Sequence, residues 1–168
     1  MIEPISKDEL HSKLSATSGQ LHSAFWGKSR AAVNHRSSNP EYGKYTPLET
    51  LVILQHAAEI FADRVQRMVN DEKVPVTRDF DPDMFLSKVD IEDESVKANL
   101  REFMDARAKL FRSLFPLKDE EEWDKFKIIH EVHGEITLRQ LLTAHLQMEQ
   151  ELTKNAIAIL KDYELEHH

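Results

Sequence analysis

Cysteine is absent from the 168 residues. Disulfides, thiolate metal ligands and a cysteine nucleophile are excluded from the outset, and a reducing, cytoplasmic compartment is the expectation. Glycine is scarce, with four positions, and proline occurs at six, which suits long helices joined by few tight turns. Positive charge is in deficit: 22 Lys and Arg against 30 Asp and Glu give a formal net charge of -8. A nucleic-acid partner requires a basic face, so none is expected. No apolar run has membrane-spanning length and no basic-then-apolar leader opens the chain, so no membrane partner is expected either. Gly-rich phosphate loops, a serine elbow and the His-Glu-x-x-His signature are all missing.

What is present is helical periodicity. A first helix opens at Ser6 with Glu9 three residues on, the pattern of a capping box, carries the stripe Leu10, Leu14, Leu21 and Phe25, and is predicted to run to about Asn34. A polar loop follows, from about His35 to Tyr45. The second helix starts sharply, with Thr46 as N-cap, Pro47 in the first position and Glu49 closing the box. Leu51, Leu54, Ala58, Phe61, Val65 and Met68 form its main stripe. Val52, Ile53 and Ile60, with His56 among them, make a second patch on the other side. A helix apolar on two sides belongs inside a bundle.

Residues 71 to about 92, with Pro75 and Pro82, are expected to form a long connection with one helical turn near Asp83–Leu86. A third helix is predicted from about Asp93 to Leu114, stopped by Pro116. The run Lys118 to Trp123 reads as a charged turn or short helix, and Asp119-Glu120-Glu121-Glu122 within it as a solvated face. Trp26 and Trp123 are expected in helix packing.

The fourth helix begins at Thr137 with Gln140 completing another box, and Ile136 and Leu141 are placed as a hydrophobic staple. No strand alternation is expected. The reading is an all-α four-helix bundle with a long crossover between helices two and three, a single domain over residues 1–164. Leu165-Glu166-His167-His168 reads as a cloning-tag remnant and is kept out of every metal argument.

Three side chains could carry chemistry: His56 on an inward face of helix two, His145 on the inward stripe of helix four, and Glu149 one turn later at the edge of that face. Converging, they could hold a divalent cation with open positions for water or substrate. The plainer alternative is a core histidine that shares a hydrogen bond with Glu149. A metal-free pocket with His56 or His145 as general base is a third. His130 and His133, before helix four, are expected in a solvated turn.

The chain resembles the DinB-like superfamily, the damage-inducible and thiol-transferase group of bundles. One matching stretch is Tyr45-Thr46-Pro47-Leu48-Glu49 with Leu51 to Glu59 behind it. The other is Glu122-Trp123, then His130 to Thr137-Leu138 and the helix to Ile159. The similarity spans about residues 6 to 162. Members of that family commonly bind a divalent metal through one histidine on helix two and two on helix four, four residues apart. By resemblance those positions are His56, Met148 and Leu152.

Leucine has no ligand atom and a thioether suits zinc or nickel poorly. The expectation is therefore no cofactor and a binding or structural module, possessing a degenerate metal site. The alternative is one zinc or nickel ion on a shifted His56, His145 and Glu149 set. That set would serve thiol S-transfer or hydrolysis, with a low-molecular-weight thiol or other small molecule as ligand. Moving three residues along a helix rotates a side chain by about 60° and shifts it by about 4.5 Å, so such a replacement would need a rotated helix or a displaced ion. A homodimer is implied by the resemblance alone.

Overall fold

The structure, a computed structural model, describes residues 1–167. Seven helices and one hairpin follow in the order α1 (Lys7–Phe25), α2 (Arg30–Val33), α3 (Pro47–Val69), α4 (Pro82–Leu86), α5 (Val96–Leu114), α6 (Glu120–Asp124), β1 (Lys127–His130), β2 (Gly134–Thr137) and α7 (Leu138–Glu166), with 3-10 turns at Pro40–Tyr42 and Ile91–Asp93. The long helices α1, α3, α5 and α7 form an all-α four-helix bundle. Around its ring α1 meets α5 and α7, and α3 meets the same two. α3 is the most enclosed, burying fourteen of its side chains from Pro47 to Met68, as its two apolar patches require.

Helix starts follow the capping chemistry in the sequence. Thr46 accepts from the Glu49 amide at 3.1 Å while the Glu49 carboxylate accepts from the Thr46 amide at 2.9 Å. Thr137 and Gln140 make the same reciprocal pair at 3.1 and 2.9 Å. At α1 only one arm forms: Ser6 accepts from the Glu9 amide, and Glu9 instead pairs with Lys13 at 2.7 Å. Ile136 and Leu141 are both buried in the core cluster, as the staple predicts.

Several expectations are corrected. α1 ends at Phe25, not near Asn34, because Gly27 takes φ +73°, a left-handed conformation that halts a helix. Ser29 then caps the separate α2. α5 starts at Val96 under a Ser95 cap, three residues later than predicted. Trp26 is 63% exposed and stacks on His22, whereas Trp123 is buried. The acidic run is not only a solvated face: Asp119 caps α6 and Glu122 accepts from the Lys118 amide.

The hairpin was not expected either. Ile128 and Ile136 are paired and point inward, while the turn between them uses Gly134 at φ +70°. The long crossing connection between α3 and α5 docks on this hairpin. The Thr77 amide donates to the Ile129 carbonyl at 2.8 Å and the Glu131 amide to the Thr77 carbonyl at 2.9 Å. Residues 77–80 of this connection line a cavity together with side chains of α3 and α7. Among the described residues no helix is long and apolar enough to cross a membrane.

Candidate functional site

Two ionic groupings stand out, one in the core between α5 and α7 and one beside α3 and the hairpin. The first lies in the core. α7 turns His145 and Glu149 inward one turn apart, and α5 turns Arg107 toward them. The side chains of His145 and Glu149 are fully shielded, and that of Arg107 is 4% exposed. The Arg107 guanidinium donates to Glu149 Oε1 in a short ion pair. His145 Nε2 stands 2.8 Å from the same oxygen, but the contact lacks the alignment of a hydrogen bond, since neither ring nitrogen has a hydrogen-bond partner. Phe61 stacks on the imidazole with centroids 4.0 Å apart, and Phe103 lies under the guanidinium at 5.0 Å.

Burial alone would push the Glu149 carboxyl up. The charges of His145 and Arg107 and their close contacts outweigh it and hold the group below the usual carboxylate range. Arg107 Nε, Glu149 Oε2 and Thr153 Oγ1 are buried without a protein partner.

The second grouping borders a cavity of about 380 Å³ between α3, α7, the hairpin and the crossing connection. Its apolar wall includes Phe61, Phe80, Ile136, Leu141 and Met148, and His145 touches it at one side. Its polar wall holds Arg64, Arg78, Asp79, His130 and His133. A neighbouring cavity of about 490 Å³, lined by His56, Phe85 and Lys88, shares Phe61, Arg64, Arg78, Asp79 and Phe80 with the first.

His130 is not the solvated turn residue that the sequence suggested. Its side chain is 5% exposed. Its Nδ1 accepts from the amides of Val132 and His133 at 3.0 and 3.2 Å, so the ring proton is assigned to Nε2, which donates to Asp79 at 3.0 Å. Both nitrogens thus serve the hairpin turn and its tie to the crossing connection.

The three residues singled out from sequence meet different fates. His145 and Glu149 come together. His56 lies apart from them, half-buried, flat against Phe85 with ring centroids 4.2 Å apart and an interplanar angle of 9°. It borders the 490 Å³ cavity, His145 the 380 Å³ one, and Phe61 and Arg64 line both. Among the described residues no group of three His, Cys, Asp or Glu is arranged to hold a metal ion.

The donor chemistry agrees with that geometry. Met148 borders the cavity, Leu152 packs on the core, and a cation at Glu149 would have to share its carboxylate with the guanidinium of Arg107, against like-charge repulsion. In this arrangement His56, His145 and Glu149 do not form one three-ligand group. Sequence reasoning missed Arg64 and Arg107. Arg107 carried a signal, a charged residue in step with Phe103 and Leu110 on the buried face of the third helix.

No family model matches the sequence, and no curated protein does. A solved structure does share the fold. YfiT from Bacillus subtilis, described as a probable metal-dependent hydrolase with an unusual four-helix bundle topology, matches with a TM-score of 0.78 over 96% of this chain and 91% of its own, at 16% identity. The architecture is therefore the four-helix bundle of that structure, and a likeness at that identity carries the fold and not the chemistry.

Proposed function

We propose that the protein is a metal-free binding module that takes a small molecule into the cavity between α3, α7 and the hairpin. The observation that carries this reading is the pair Met148 and Leu152. They stand where the resemblance puts two histidine ligands, with the Met148 side chain bordering the cavity and Leu152 packed on the core. Sulfur and hydrocarbon at those positions favour an apolar guest over a hard cation. The cavity's size, mostly apolar wall and few convergent polar groups are those of a small-molecule site.

Metal analysis of protein freed of its terminal Leu165–His168 segment tests the reading. The expected result is no zinc or nickel near one equivalent after purification, and no saturable uptake on titration. Stoichiometric, tightly held metal would overturn it.

The competing reading is a metal-dependent S-transferase or hydrolase built on His56, His145 and Glu149. It is favoured by the 2.8 Å approach of His145 to Glu149 and by what is said of YfiT. It requires His56 to leave Phe85 and Arg107 to release Glu149. A His56→Ala/His145→Ala variant that loses a metal the parent protein holds would support it. Unchanged metal content would remove it.

A further inference from the structure

Arg64 lines both the 380 and the 490 Å³ cavities and also borders a groove of about 330 Å³. It is half-buried, and it lies over the Phe61 ring, 5.4 Å from guanidinium carbon to centroid. Among the described residues it makes neither an ion pair nor a hydrogen bond. A guanidinium carries five donors and is never uncharged in practice, so a half-buried one with no acceptor is unusual. Burial also pulls its basicity below the usual range, with Asp63 offsetting only part of this.

Of the carboxylates that line these spaces with it, Asp63, Asp79 and Asp81 are committed elsewhere, and Glu59, exposed on α3, borders only the 330 Å³ groove and neither cavity. Asp63 pairs with Arg67 at 3.1 Å and Lys109 at 3.7 Å. Asp79 accepts from His130, and Asp81 caps α4 through the Met84 amide at 3.1 Å. Arg78, the other cation on the wall, reaches Glu131 only at 3.8 Å. In a chain of net charge -8, the cavity wall between Phe61, Phe80 and Met148 thus carries two arginines against one aspartate already in use.

From this unanswered guanidinium beside an apolar cavity we infer that the ligand class is a small monocarboxylate with an apolar body. Its carboxylate sits on Arg64 and its hydrocarbon or ring lies between Phe61, Phe80 and Met148. An arginine fork presents two parallel N–H groups that match a carboxylate in a bidentate pair. The aromatic and thioether walls accept an acyl chain or a phenyl ring. This inference rests on the metal-free binding reading and specifies what that site takes.

The test is calorimetric titration, or ligand-observed NMR, with benzoate, phenylacetate and hexanoate beside their uncharged amides. Each is run on the full chain after chelator treatment and again with one equivalent of zinc. The expected result is that at least one acid binds the chelator-treated protein about ten-fold or more tightly than its amide, and that Arg64→Gln reduces the preference to within about three-fold. Arg101→Gln, an exposed change on α5 with the same effect on net charge, is expected to leave the preference intact. A far-UV spectrum and melting curve for each variant exclude a folding effect.

Equal binding of acid and amide, a preference that survives Arg64→Gln, or one lost equally in Arg101→Gln would overturn the carboxylate assignment and leave the metal-free reading standing. Binding only in the presence of zinc would overturn the metal-free reading itself. No binding under either condition would overturn the assignment.

Discussion

Arg107 and Arg64 both stand on inner walls of this bundle, and they end in opposite conditions. Arg107 is almost wholly enclosed, is held by Glu149 and rests on Phe103. Arg64 is half-buried, has an aromatic face beneath it, and meets no carboxylate. The stacking is shared and the counter-ion is not. A buried charge without a partner is expensive, so the core cannot spare Glu149. A cation at a cavity wall keeps part of its hydration and can stay unpaired until an anion arrives. The comparison separates a charge that organises packing from one available for recognition.

The strongest way to break the comparison is to strand Arg107. Glu149→Gln leaves the guanidinium buried without its counter-charge, and about 3–5 kcal/mol of unfolding free energy is expected to be lost, read by urea denaturation. Removing both charges in Arg107→Met/Glu149→Leu is expected to restore most of that loss, since a hydrophobic pair of similar volume can be neutral or better. If the double variant is as unstable as the single one, the ion pair is not what fills this space.

The same pair has a pH signature. The Glu149 carboxyl is held below its ordinary range in the folded state, so the folded protein binds this proton less readily than the unfolded chain. Its contribution is fully present above the ordinary glutamate value of about 4.3 and is lost as pH falls through the lower folded value. Stability measured from pH 6 to pH 3, round values on either side of that range, should therefore fall more steeply in the parent than in Arg107→Met/Glu149→Leu. Parallel curves would show that Glu149 does not titrate as described.

The next effect sharpens the cavity side. His130→Ala removes the acceptor of two turn amides and the tie to Asp79. A cost of about 1–3 kcal/mol is expected, with faster amide exchange at Val132, His133 and Thr77. Unchanged exchange there would mean that the hairpin holds the crossing connection without His130. The smallest effect falls on Arg64. Because it has no partner to lose, Arg64→Gln should change stability by no more than about 1 kcal/mol. A loss as large as that of Glu149→Gln would make Arg64 structural and erase the distinction.

Much of the bundle was legible. Local chemistry set the starts of α3 and α7, where Thr46-Pro47-Leu48-Glu49 and Thr137-Leu138-Arg139-Gln140 each supply cap and partner within four residues. Periodicity placed His145 on the inward face and Glu149 at its edge, whereas the structure buries both. The break after Phe25 was signalled by Gly27 but outweighed by the helix-forming residues on either side. The hairpin escaped because its strands are four residues each and only Ile128 and Ile136 mark the buried side, too few for a period-two pattern.

The separation of His56 from His145 depends on how α3 is rotated against α7 and on Phe85 arriving from the crossing connection, and both are long-range. The same holds for Arg64: that it has no counter-ion follows from where Asp63, Asp79 and Asp81 find other partners.

The most direct measurement follows the arginine side chains themselves. In ¹⁵N-labelled protein the Nε–Hε resonances of Arg64 and Arg107, assigned through the Gln and Met substitutions above, are followed during titration with phenylacetate. The prediction is a saturable shift at Arg64 with Arg107 unmoved. A shift at Arg107, or a titration that leaves Arg64 in place while the ligand binds, would contradict the division between a committed cation and a waiting one.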